Sequence, residues 1–303
     1  RAFVMATGCL SVPKEPDFKG VNTFKGKSYF TSRWPHEPVD FTGMNVAIIG
    51  TGSSAVQSIP EIAKQAKHLT VFQRTPNFSM PAYNGPISQE ELELWKLNRP
   101  RYRAEATANA GNIRHTFPRD NLLSATPPEE IERVLEERWQ QGGFAILGSF
   151  ADTGIDENAN AVVRDFLARK IRSAVKDERT ANLLTPKSYP FGTKRPCVDT
   201  NYFETYNRSN VSLVDISQAH IEEITPNGVR TAAQEYKFDA IVYAIGFDAM
   251  TGALDKVDIR GRGGLKLKDK WAHGPKTYLG LSIAGFPNLF TITGPGSPSV
   301  LTN

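Results

Sequence analysis

Asn45–Thr75, NVAIIGTGSSAVQSIPEIAKQAKHLTVFQRT, reads as strand, glycine turn, helix and strand in succession. Val46-Ala47-Ile48-Ile49 is a short apolar β-type run, and Gly50-Thr51-Gly52-Ser53-Ser54-Ala55 is a G-x-G-x-x-A turn. Val56 to Ala66 then carries apolar residues at helical spacing, and His68 to Gln73 returns as a strand. The first glycine makes the tight turn. The second lets backbone N–H groups approach a pyrophosphate at the positive end of the new helix, and Ala55 is small enough for that helix to lie close on the strand. These features define an α/β fold with a Rossmann-like dinucleotide-binding βαβ unit.

The end of the second strand selects the nucleotide. An NAD or FAD site places Asp or Glu there to accept from the ribose 2′-hydroxyl, whereas this chain has Gln73-Arg74-Thr75. A carboxylate would repel a 2′-phosphate. Arg74 can pair with one in bidentate fashion and Thr75 can donate a further hydrogen bond, so NADP(H) is favoured over NAD(H).

Composition narrows the class. The chain has 303 residues, enough for one large or two medium cores. Its 36 basic and 32 acidic residues leave a net charge of +4 with no dense Lys/Arg block, so nucleic acid is not an expected partner. Cys9 and Cys197 are far apart and the five histidines are scattered, which provides neither a disulfide framework nor metal-ligand spacing. A reducing cytoplasm is the expected compartment. No apolar run has the length of a membrane span, and Arg1 to Leu10 lacks the features of a signal peptide. The chain opens on Arg inside an apparent strand, Phe3 to Gly8, and reads as a fragment. That strand needs partners, supplied either later in the chain or outside it.

Two further stretches carry a resemblance. Phe24-Lys25-Gly26-Lys27-Ser28-Tyr29-Phe30-Thr31-Ser32-Arg33-Trp34-Pro35 taken alone is an aromatic, glycine-bearing loop. It resembles F-x-G-x-x-x-H-x-x-x-W-P, the fingerprint of type I Baeyer-Villiger monooxygenases, matching at Phe24, Gly26, Trp34 and Pro35. Phe30 stands where the family has His. In the family this segment links the FAD and NADPH domains and couples cofactor binding to their movement, so the missing imidazole bears on coupling. The second stretch, Pro190-Phe191-Gly192-Thr193-Lys194-Arg195-Pro196, is by composition a surface loop presenting two cations, and is similar to the family's active-site loop. By that match Lys194 adds charge to the 2′-phosphate site and Arg195 sits over the flavin.

Between these stretches helical signals dominate. After Pro76 the β pattern is expected to stop for about a hundred residues. Capping boxes at Ser88 and Thr126 start two helices, the first carrying Leu92, Leu94, Trp95 and Leu97, and Gly142-Gly143 stops the second. A third helix runs from about Asn158 to Val175. The apolar residues of this insertion are expected in its core, and Arg114, His115 and Arg119 in a solvated cluster. Strands follow at Val211–Asp215, Ile221–Ile224, Gly228–Thr231 and Asn288–Thr293. Asp239 to Asp248 is an apolar strand entering a glycine turn, the pattern of a buried parallel strand. Its Ala244-Ile245-Gly246 resembles the cofactor-side element at which the family's chain crosses back to the FAD domain, and Ser299, Val300 and Leu301 fall where a family loop borders the substrate pocket.

The resemblance implies a two-dinucleotide-domain flavoprotein. Residues 1–12 would end an FAD domain, 13–42 link, 43–235 form the NADP domain with an insertion over about 86–188, and 236–303 return to the FAD domain. It implies a monooxygenase in which NADPH reduces FAD and a peroxyflavin converts a ketone to an ester or lactone with O2, Arg195 stabilising developing negative charge. The sequence contains no second G-x-G-x-x-G for FAD, so the chain by itself is expected to hold FAD weakly and to be inactive. Two alternatives stay open: a flavin-containing N- or S-monooxygenase, against which Trp34-Pro35 argues, and a non-catalytic NADP-binding module. A disulfide reductase would need a redox cysteine pair, which Cys9 and Cys197 are not.

Overall fold

The computed structural model describes residues 1–108 and 121–297. The expected cluster of Arg114, His115 and Arg119 and the expected pocket-lining Ser299, Val300 and Leu301 lie outside the described residues. The chain divides into two compact units, Asp17–Ala244 and the pair of segments Arg1–Pro16 with Ile245–Asn303.

The larger unit is built on five parallel strands. In spatial order these are β2 (Lys27–Phe30), β11 (Ala240–Tyr243), β3 (Asn45–Ile49), β4 (His68–Gln73) and β7 (Val211–Asp215). Val46, Ala47, Ile48, Leu69, Val71, Ile241 and Val242 are buried on this sheet, which explains why its central strands read as unbroken apolar runs rather than alternating ones. Helix α1 (Ser53–Gln65) joins β3 to β4 and buries Ala55, Val56, Ile59, Ile62 and Ala63. The strands and helix of the opening stretch thus form as the sequence predicts.

The fingerprint segment is more than a connection. Lys27–Phe30 forms the edge strand of this sheet, paired in parallel with Ala240–Tyr243. Gly26 is required for that approach, since a Cβ there would lie 2.5 Å from the Asp239 carbonyl oxygen and 2.5 Å from the Phe24 ring. Phe30 stacks on Tyr243 at 5.1 Å, and the Arg33 guanidinium sits 4.7 Å above the Phe30 ring. Trp34 packs against Tyr29 and Phe41, while Pro35 is half-buried. β11 belongs to this sheet, and the larger compact unit runs through Ala244.

The helical region is α2 (Gln89–Thr107), α3 (Pro128–Gln141), α4 (Glu157–Ala174) and α5 (Glu178–Leu184). The Ser88 capping box forms with Glu91 as predicted. The second one does not. Pro127 is the N-cap of α3, because the following Pro128 forces it into extended backbone, and Thr126 turns its hydroxyl to the Leu122 carbonyl instead. Helix α2 also corrects an expectation, for Leu92, Leu94, Trp95 and Leu97 are exposed, Leu97 by 78%. Spaced two, one and two residues apart, they spread around the helix and make no single stripe. Among the described residues, α3 and α4 instead build a core with Phe78, Met80, Ile146, Phe150 and Phe191.

The β pattern also resumes earlier than predicted. Strand β5 (Ser79–Pro81) pairs in parallel with β6 (Cys197–Asp199), a partner more than a hundred residues away that so short a run does not announce. Helix α6 (Tyr202–Thr205) follows β6, and β8 (Ile221–Thr225), β9 (Gly228–Thr231) and β10 (Glu235–Lys237) form an antiparallel sheet. In the smaller unit, β1 (Phe3–Met5) finds its partner late in the chain, pairing in parallel with β12 (Leu289–Thr291). Met5, Leu254, Leu267, Trp271, Ile283, Phe286 and Leu289 form that unit's core.

Buried Asp152 fastens the loop before α3. Its carboxylate accepts from Leu123 N, Ser124 N and Ser124 Oγ at 2.8–3.1 Å. Burial opposes its ionisation, but these hydrogen bonds outweigh burial and hold the carboxyl below its ordinary value. Asp152→Asn should destabilise the protein by about 1–3 kcal/mol in urea unfolding at neutral pH. A carboxyl lowered in the folded state stabilises above the unfolded value of about 4, and this contribution is lost as pH falls through the folded value. The gap between wild type and variant should therefore shrink in acid, and a pH-independent gap would refute the assignment.

Candidate functional site

Three segments of the larger unit converge at the start of α1. The first is the glycine turn. Gly50 has φ of +113°, and a Cβ on it would lie 2.4 Å from the Ala244 carbonyl oxygen, so both conformation and space demand glycine. Ala244 N donates to the Ile49 carbonyl (2.9 Å), and Gly50 N donates to that of Phe72 (3.0 Å), which clamps the turn between two strands. Gly52 is the N-cap of α1, no side chain caps the helix there, and a Cβ on Gly52 would meet open space. The first N–H groups of the helix, those of Ser53, Ser54 and Ala55, therefore begin at an open cradle of positive potential that suits a pyrophosphate. Ser54 is exposed and Ala55 fully buried against the strands.

The second segment follows β4. Gln73 is buried, and its amide nitrogen donates to the Leu183 carbonyl (2.8 Å), so this side chain braces α5. Arg74 next to it is exposed, and among the described residues no carboxylate pairs with it. Thr75 accepts through its carbonyl from Thr51 Oγ1 (3.0 Å), and Asn77 Nδ2 donates back to the Thr51 carbonyl (2.7 Å). The glycine turn and the arginine segment are thereby tied together twice.

The third segment is the loop before β6. Lys194 and Arg195 are both exposed and, among the described residues, neither pairs with a carboxylate. The Lys194 ammonium lies 4.3 Å from the centre of the Tyr189 ring, and the Arg195 guanidinium 5.7 Å from that of Phe144. Tyr189 reaches the second segment, its hydroxyl donating to the Pro76 carbonyl (2.9 Å) with Asn77 Oδ1 3.2 Å away. Cys197 Sγ is 3.5 Å from Ser53 Oγ, which brings the end of the loop against the first residue of α1. Gly50, Gly52, Ser53, Arg74, Thr75, Lys194 and Arg195 are thus assembled from three stretches of sequence, with three cations that no carboxylate among the described residues neutralises.

Asn77 and Tyr189 were not singled out from sequence. Asn77 carries no signal beyond lying two residues past Thr75. Tyr189 precedes the cationic loop, but its role depends on a contact more than a hundred residues away. The element at Ala244-Ile245-Gly246 divides: Ala244 closes on the glycine turn, and Ile245 and Gly246 (φ +82°) begin the returning segment of the smaller unit. A separate cavity of about 540 Å³, lined by Tyr83, Trp139, Lys170, Asp199, Asn201 and Glu204 among others, contains none of the residues predicted to hold cofactor.

Fold and site define a dinucleotide-binding α/β protein. Residues 2–83 match the family model described as flavin-binding monooxygenase-like. The chain is 46% identical over 314 residues to 2-oxo-Delta(3)-4,5,5-trimethylcyclopentenylacetyl-CoA monooxygenase of Pseudomonas putida, covering 100% of this chain and 57% of that protein. It is 41% identical to cyclopentanone 1,2-monooxygenase of a Comamonas species, covering 99% of this chain and 55% of the relative. Among solved structures, OTEMO in complex with FAD and NADP matches with a TM-score of 0.96 at 44% identity, over 99% of this chain and 57% of that one. The chain is therefore homologous to the Baeyer-Villiger monooxygenases, and it spans just over half the length of the relatives it matches.

Cys197 is buried beneath α1, and burial pushes its thiol above the ordinary value, whereas Cys9 is half-exposed. With Ellman's reagent at pH 8, one thiol should react quickly and the second only on unfolding. Cys9→Ser should abolish the fast phase; a fast phase surviving in that variant would show that Cys197 is accessible.

Proposed function

We propose that this chain is the NADP-binding portion, with part of the flavin-binding portion, of a Baeyer-Villiger monooxygenase that uses NADPH, FAD and O2 to convert a ketone to an ester or lactone. The observation that carries the reading is the convergence of an uncapped, glycine-opened helix N-terminus with Arg74 and Lys194, neither of which pairs with a carboxylate among the described residues. That donor set fits a dinucleotide bearing a 2′-phosphate.

The roles divide by chemistry. The backbone of Gly50, Thr51 and Gly52 and the N–H groups of Ser53, Ser54 and Ala55 bind the pyrophosphate. Gln73 fixes the end of β4. Arg74 and Thr75, with Lys194, bind the 2′-phosphate, and Ala244, Ile245 and Gly246 carry the chain past the nucleotide. When bound, NADPH supplies hydride and FAD passes the electrons to O2. Arg195 is the candidate catalytic residue. Its guanidinium stays charged at any working pH and stabilises negative charge developing on oxygen during transfer to the ketone carbonyl. Phe24, Gly26, Phe30, Trp34 and Pro35 hold the edge strand of the nucleotide sheet, and Ser299, Val300 and Leu301 are kept as candidate substrate contacts. No helix among the described residues is long and apolar enough to cross a membrane, and with a buried and a half-exposed free thiol we assign the protein to the reducing cytoplasm.

Two experiments test this. The protein expressed from its complete reading frame, given NADPH, O2 and a panel of ketones, a sulfide and a tertiary amine, should yield an ester or lactone identified by mass. Oxidation of the sulfide or amine alone would reassign it to the N- or S-monooxygenases, and nucleotide binding without turnover to a non-catalytic module. Separately, Arg74→Ala should weaken NADP⁺ binding by roughly 10- to 100-fold, the loss of a charge-assisted pair, with NAD⁺ binding nearly unchanged in calorimetry. Equal weakening of both nucleotides would remove Arg74 from the 2′-phosphate site.

A further inference from the structure

Lys194 is a long, exposed cation on a loop, which on its own would spread its charge over many rotamers. Its ammonium is instead centred 4.3 Å from the Tyr189 ring. The same residue's hydroxyl donates to the carbonyl of Pro76, two residues past Arg74, and lies beside Asn77. One side chain thus touches the element bearing one candidate phosphate cation and orders the other cation directly. Asn77 in turn donates to Thr51 of the glycine turn, and Thr51 donates to Thr75, closing a loop of contacts around the nucleotide segments.

Tyr189 is itself held. Its ring meets Phe78 edge to face at 5.5 Å, and Phe78 meets Phe191 likewise at 5.3 Å. Buried Asn160 accepts from Phe191 N and donates to its carbonyl, pinning the base of the cationic loop to α4. Burial pushes the phenol up to about 12, so the hydroxyl remains a donor at every working pH.

We infer that Tyr189 is a positioning residue that sets the preference for a 2′-phosphorylated nucleotide, by holding Lys194 on its ring and the Arg74–Asn77 segment through its hydroxyl. This rests on the NADP(H) reading and adds to it a residue that touches neither phosphate nor reacting atoms. A pyrophosphate held by the glycine turn does not need it; a phosphate on the ribose 2′-oxygen does. Ordering two cations towards one dianion acts on the 2′-phosphorylated ligand alone, whereas a mere packing role would affect every nucleotide alike.

The test measures binding of 2′,5′-ADP and 5′-ADP to the complete protein by calorimetry, so that no turnover is needed. Wild type should prefer 2′,5′-ADP. Tyr189→Leu should cut that preference roughly tenfold with 5′-ADP affinity within about twofold of wild type, as for loss of one ordered cation. Lys194→Gln should produce a similar cut, and the double variant little more than either, since both remove one coupled interaction. Tyr189→Phe, which keeps the ring, should fall between wild type and Tyr189→Leu. If Tyr189→Leu does not fold, Tyr189→Phe decides. An unchanged preference in the folded variant, or equal weakening of both ligands, overturns the inference. Absence of any preference in wild type overturns the NADP(H) reading and the inference with it.

Discussion

The site depends on one steric constraint, the approach of the Gly50 backbone to the Ala244 carbonyl. A single methyl group at Gly50 would sit 2.4 Å from that oxygen, in a backbone conformation L side chains rarely adopt. Because β3 ends here between β11 and β4, this contact sets where the sheet stops and α1 starts. The helix N-terminus beside it is open, because the N-cap is Gly52, which has no side chain to cap it. Everything that gives the site its character, from the uncapped N–H groups to the cations gathered near them, depends on that turn.

Around the turn the protein spends polar contacts on backbone and leaves charge unused. Thr51, Asn77, Tyr189 and Asn160 all bond to main-chain groups, fastening three loops to one another. Arg74, Lys194 and Arg195 are left without carboxylate partners among the described residues, unlike some exposed cations elsewhere, such as Arg133 with Glu130 and Arg169 with Glu132. A cation with a nearby acid is neutralised before a ligand arrives. Three without one make a region of positive potential suited to phosphate.

Burial explains why some motifs were legible and others not. The stretch Asn45–Thr75 could be read because its strands are buried on both faces and its helix on one, so composition and period report the fold directly. In Gln89–Thr107 a local capping box announces the helix, yet its apolar side chains stay exposed and join no core. A cap is decided within four residues, whereas burial depends on what lies opposite. The same distinction separates the two expected capping boxes, for Thr126 lost its role to the proline pair beside it.

From the sequence alone came the βαβ unit, the glycine turn, the arginine after the second strand and the likeness to Baeyer-Villiger monooxygenases. Each is written in residues that lie together in the chain and obey local steric or periodic rules. Only the tertiary structure decided that Lys27–Phe30 is an edge strand of the nucleotide sheet, that Ser79–Pro81 pairs with Cys197–Asp199, and that Tyr189 joins the lysine loop to the arginine segment. The strand pairings and the Tyr189–Pro76 bond join residues more than a hundred positions apart, and a three- or four-residue strand or a single tyrosine has no period or spacing to announce its partner.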